Sequence, residues 1–82
     1  MLNKVQDYIQ EKDGAGLRRT AHAIKGMMGN FMALHAARSA LIIEEMGRDN
    51  NFEDADEALK NLTEEIINFE QKLSAFIGKE TP

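Results

Sequence analysis

The chain has 82 residues, 43% apolar and 29% charged, with no cysteine and a net charge of −4. That is one globular domain, spanning 1–82, whose small core must be simple, since a chain of this size buries only about 60% of its unfolded surface. The missing cysteines exclude a disulfide framework, a thiolate metal site and a thiol nucleophile. No apolar run is long enough to span a membrane and the start is not a signal peptide, so the expected compartment is the cytoplasm.

Charge divides along the chain. Residues 1–42 carry six Lys/Arg against three acids, and residues 43–82 carry four against eleven. An acidic domain without an extended basic stripe is a poor nucleic-acid binder. The cluster of cations in the first half asks for a smaller anionic target.

Four helices are predicted. Leu2, Val5 and Ile9, flanked by Tyr8, give residues 1–12 a short amphipathic helix that stops at Asp13-Gly14. A second helix runs from about residue 15 toward Phe31. A third begins near Ala33–Leu34, turns Leu34, Ala37, Leu41 and one of Ile42 or Ile43 inward, and ends near Met46 with Gly47 as its C-cap. After the polar linker, Asn50 or Asn51 caps a long last helix. Glu53, Asp54, Asp56 and Glu57 fill its first turns, where the helix dipole favours acids. Its apolar seam of Phe52, Ala55, Leu59, Leu62, Ile66, Phe69, Leu73 and Phe76 keeps spacings of three and four, as a bundle with shallow crossing angles requires. Core packing is the first reading of that seam, and a coiled-coil dimer the second.

The second helix carries the chemistry. At about 100° per residue, Leu17, Ala21, Ile24, Met28 and Phe31 form the buried side. The opposite face collects Arg18, Arg19, His22, Lys25, Gly26 and Gly29. Two glycines inside a helix cost about 1 kcal/mol each relative to alanine, and the clustered cations repel one another. Such breaches of local preference point to a site. The glycines let another protein approach His22, and the cations favour an incoming anion. Positive neighbours disfavour imidazolium and leave a free ring nitrogen, which is a nucleophile for a phosphoryl group. The helix itself offers no acid or base at hydrogen-bonding spacing, so a partner must bring the second reactive group. His35 has no companion at metal-ligand spacing and reads as a structural or surface residue; no metal site is predicted.

The stretch Leu17-Arg18-Arg19-Thr20-Ala21-His22-Ala23-Ile24-Lys25-Gly26-Met27-Met28-Gly29-Asn30-Phe31 resembles the signature of histidine-containing phosphotransfer (HPt) domains. The likeness continues through Ala36, Ala37, Leu41, Glu44, Glu45, Gly47 and Arg48. It implies an all-α, up-down four-helix bundle with a short first and a long last helix. It further implies a phosphorelay intermediate, not an enzyme. His22 would accept a phosphoryl group from a receiver-domain aspartate and pass it to another receiver. Lys25 would meet the phosphoryl group or the partner's acids, Gly26 and Gly29 would give access, and Arg18 and Arg19 would aid a salt-sensitive docking. Partners would be receiver domains of response regulators or hybrid histidine kinases. No cofactor is implied beyond the Mg²⁺ carried by the receiver. The alternatives are the phosphoacceptor domain of a chemotaxis-type histidine kinase and a non-catalytic helical adaptor.

Three features depart from the family pattern. Met27 replaces a small polar residue, Met32 stands where glycine is common, and the first helix is short. Met27 reads as core filling, or with Met32 as soft apolar contact on a docking surface. The short helix implies either a piece of a larger protein or a bundle completed another way, dimerisation included; a monomer is the expected state.

Overall fold

A computed structural model of the protein describes residues 2–78, with side chains through residue 75. It contains four helices, α1 Leu2–Glu11, α2 Gly14–Asn30, α3 Leu34–Arg48 and α4 Ala55–Gly78. α1 and α3 each pack against both α2 and α4, so the helices form a closed ring around one core. Short connections make ring neighbours antiparallel. This is the all-α bundle expected, with the first helix short and the last long.

The reversal between α1 and α2 is set by two residues. Lys12 takes a positive φ of 55°. Asp13 then caps α2, its Oδ1 accepting a hydrogen bond from the Gly16 amide at 3.0 Å. Below this turn the core runs through Val5 and Ile9 of α1, Leu17, Ala21, Ile24 and Met28 of α2, Ala36, Ala40 and Ile43 of α3, and Ala55 and Leu62 of α4.

α3 is rotated from its expected setting. Leu34 is 64% exposed and Leu41 39% exposed, whereas Ala36, Ala40 and Ile43 are buried and Ala37 is half-buried. Of the paired isoleucines, Ile43 faces inward and Ile42 outward. The cause is the close approach of α2 and α3. Gly47 does not cap α3 but lies inside it, buried, where an added Cβ would stand 2.7 Å from both the Arg18 amide nitrogen and the Gly14 carbonyl oxygen. Small residues on the facing side of α3 permit that approach, and the leucines are turned out. The reversal after α3 falls instead to Asp49 and Asn50, the latter with φ 51°.

Further expectations need correction. Phe31 lies just past the end of α2, 57% exposed, and rests its ring against Phe69 at a centroid distance of 5.9 Å. The α4 seam is buried only in its upper half. Ala55 and Leu62 are enclosed, Leu59, Ile66 and Phe69 are half-buried, and Leu73 is 43% exposed. Phe52 precedes the helix, as do Glu53 and Asp54, and the Phe76 side chain lies outside the described residues. Asn51 accepts a hydrogen bond from the Glu53 amide at 3.2 Å, organising the turn before α4 instead of capping it. At 1.5 Å per residue α4 spans about 36 Å against about 25 Å for α2, so its distal turns outrun the layer that should cover them.

Candidate functional site

His22 occupies the middle of α2, one residue from buried Ala21 and two from buried Ile24, so the core fixes the helix face it occupies. Its side chain is 67% exposed. The ring opens onto a shallow depression lined by Arg18, Arg19, His22 and Glu44.

Glu44 was not expected there. Its Oε2 is 2.8 Å from Nδ1 of His22, a contact between α2 and α3. Its other oxygen, Oε1, lies 2.7 Å from Nζ of Lys25. That second contact is an ion pair in which the Lys25 side chain is 31% exposed and that of Glu44 18%. Lys25 chiefly, with the His22 contact adding, holds the Glu44 carboxyl below its usual range against the partial desolvation that raises it. Glu44 is therefore ionised near neutrality and can only accept. The Nδ1 position of His22 must carry the proton, and in the neutral ring Nε2 is left bare and directed to solvent.

The other sequence-derived residues divide into two groups. Lys25, on the same side of α2, is only 31% exposed in its side chain, and its charge is matched by Glu44. It does not join the free cations. Arg18 and Arg19 are exposed, one turn before His22, and among the described residues neither has a carboxylate within ion-pairing distance. The expected ring of three cations is thus two free arginines and one neutralised lysine. A Cβ built on Gly26 or Gly29 meets nothing within 4 Å. Neither glycine is required by contacts of the protein's own fold. Both leave open the surface beside and below the imidazole.

His35 is exposed near the start of α3 and takes no part in the site. Met27 is 36% exposed, at the edge of the core, and Met32 is 75% exposed with φ 59°. No group of acids and histidines able to hold a metal ion occurs among the described residues, and no described helix is long and apolar enough to cross a membrane.

The family model of the Hpt domain matches residues 1–72. The chain belongs to the Hpt domain family. Comparison with curated proteins and with solved structures gives no match. Hpt domains are phosphocarriers of phosphorelays, not enzymes; they exchange phosphoryl groups with receiver domains and hold no cofactor. In this Hpt domain the depression around His22 combines a bare ring nitrogen, two unpaired guanidinium groups and an open approach.

Glu44 could have been found in the sequence. α2 and α3 form a hairpin whose turn centres on Ala33, and His22 and Glu44 stand eleven residues before and after it. Residues equidistant from the turn of a helical hairpin lie at the same height. A reading confined to one helix misses such a pair.

Proposed function

We propose that His22 is the phosphoacceptor, reacting through Nε2, and that it carries a phosphoryl group between aspartates of two receiver domains in the cytoplasm. The Nε2 lone pair attacks the phosphorus of an aspartyl phosphate. A P–N bond forms as the P–O bond breaks, and the carboxylate leaves with the electron pair. The ring keeps its Nδ1 proton, shared with Glu44, so the positive charge that develops faces a carboxylate. The return step is the same path reversed onto a second aspartate.

The observation that carries this reading is the 2.8 Å contact between Glu44 and Nδ1 on a histidine whose side chain is 67% exposed. Arg18 and Arg19 supply charge-assisted donors for the phosphoryl oxygens or for the acidic rim of the receiver. Gly26 and Gly29 admit the receiver surface. In this reading the receiver brings the Mg²⁺ and the aspartate.

The test is incubation with a panel of phosphorylated receiver domains, beside a histidine-kinase catalytic domain with ATP. Base-stable, acid-labile phosphate arriving from receivers and lost in His22→Ala supports the relay. Labelling by the kinase domain alone would favour the chemotaxis-type role. A His22→Ala chain that still transmits the signal would make it an adaptor.

A further inference from the structure

Leu41 is 39% exposed on α3, a helix whose buried positions are Ala36, Ala40, Ile43 and Gly47. An exposed leucine by itself is ordinary on a monomer; the place of this one is not. Leu41 stands one turn before Glu44 and about 60° round the helix from it. Glu44 reaches across to His22 at 2.8 Å and to Lys25 at 2.7 Å, so this side of α3 borders the site. Leu41 is eight residues after Ala33 and Lys25 eight before it, which sets the two level across the α2–α3 hairpin. Half-buried Ala37 is level with Gly29 in the same way, and Gly29 has open space above it. Ile42 turns about 100° further, to a cavity it shares with Ser39 and Met46 on α3 and with Ala58 and Asn61 on α4.

The structure assigns Leu41 a role in receiver docking: it is the apolar contact that fixes the receiver's orientation and selects among receivers. This role rests on the reading of His22 as the phosphoacceptor. Family membership supplies the occupant, because Hpt domains exchange phosphoryl groups with receiver domains. A receiver whose aspartate reaches Nε2 must cover the ground around the imidazole. A standard protein contact of about 800 Å² per partner extends beyond one helical turn in each direction. Toward the start of α2 that ground is basic, at Arg18 and Arg19. Toward its end it is Gly26, Gly29, Ala37 and Leu41, with the charge of Lys25 matched by Glu44. The two ends thus differ in chemistry, and a receiver fits one way round. Its acidic rim lies over the arginines, and an apolar side chain beside its aspartate lies over Leu41. Charge steers the encounter, whereas the covered apolar contact holds the docked pair. A receiver with a charged residue at that point would have it desolvated against Leu41 and be rejected.

The test is phosphoryl transfer from a phosphorylated receiver at varied receiver concentration, in about 0.1 M and about 0.5 M salt. Leu41→Asn, checked for unchanged melting and helical circular dichroism, should raise the receiver concentration giving half-maximal rate by about tenfold, with the maximal rate kept. That shift should persist in high salt, whereas the shift in a chain carrying both Arg18→Ala and Arg19→Ala should shrink. Leu41→Met, still apolar, should transfer as the wild-type chain does. Ile42→Asn makes the same exchange one residue on, facing α4, and should change nothing. Phosphoramidate, a small phosphoryl donor that needs no docking, should label His22 in Leu41→Asn as fast as in the wild-type chain. An unshifted half-maximal concentration in Leu41→Asn overturns the role of Leu41 and leaves the relay standing. So does an equal shift in Ile42→Asn, or slowed labelling by phosphoramidate. A wild-type chain labelled by phosphoramidate but by no receiver ends the relay reading, and the role of Leu41 with it.

Discussion

Glu44 on α3 holds Nδ1 of His22 on α2 at 2.8 Å, and in the proposed relay this contact leaves Nε2 as the reacting nitrogen. On that proposal Glu44 is a positioning residue for chemistry at Nε2. Glu44→Gln keeps an acceptor for Nδ1–H but removes the charge that faces the phosphorylated ring. It should slow phosphoryl transfer roughly tenfold. Glu44→Ala, which also frees the ring to rotate, should slow it further. Single-turnover transfer from a phosphorylated receiver, with helicity verified, measures both; equal rates in all three proteins would remove Glu44 from the mechanism.

The same carboxylate links stability to pH. Lys25, with His22, lowers the Glu44 pKa from its usual 4.5. A depressed carboxyl stabilises the fold fully above its unfolded value, and that contribution is lost as pH falls through the lower folded value. Melting temperature should therefore drop on acidification below about pH 4.5. Asp49, lowered by Arg48, contributes to the same acid limb. The informative quantity is thus the difference between the wild-type chain and Glu44→Gln, which should shrink as pH falls from 6 to about 3. A difference independent of pH would mean the Glu44–Lys25 pair adds no net stability.

Glycines at two places on the α2–α3 pair should respond in opposite ways. Gly26 faces open space, so Gly26→Ala should raise stability by up to about 1 kcal/mol through helix propensity. Gly26→Gln should keep the helix yet slow transfer, because its side chain occupies the approach to His22. Thermal denaturation paired with the transfer assay separates the two effects. Normal transfer in Gly26→Gln would dismiss steric access as the reason for the glycine.

Gly47 is the contrasting case. A methyl group there meets the backbone of Gly14 and Arg18 at 2.7 Å, and backbone cannot swing away as a side chain can. Gly47→Ala should cost about 1–3 kcal/mol by forcing α2 and α3 apart. It should also displace Arg18 and loosen the contact between His22 and Glu44. Chemical denaturation measures the loss, and a chain as stable as wild type would contradict the close approach.

The parts of this molecule legible in its sequence are those governed by one helix at a time. The α2 wheel separated Ile24 and Met28 from His22, Gly26 and Gly29, because that division is a matter of 100° per residue. α3 misled because its apolar residues outnumber its buried positions. Leu34, Leu41 and Ile42 compete with Ala36, Ala40 and Ile43, and the choice is made by how near α2 comes, a property of Gly47 and Gly14 together. Phe31 was misplaced for a related reason: helical periodicity ceases at Asn30, and beyond it the ring follows Phe69 instead of the wheel. At the site, the sequence marks Lys25 but not its ion pair, since the partner Glu44 belongs to another helix.

The most direct measurement is the position of the phosphoryl group on the ring. The chain is phosphorylated by a receiver domain, mapped by mass spectrometry, and its imidazole nitrogens are assigned by ¹⁵N NMR. The account predicts a single modified residue, His22, phosphorylated at Nε2 with the proton retained on Nδ1. Phosphate on Nδ1, or on any residue other than His22, would contradict it.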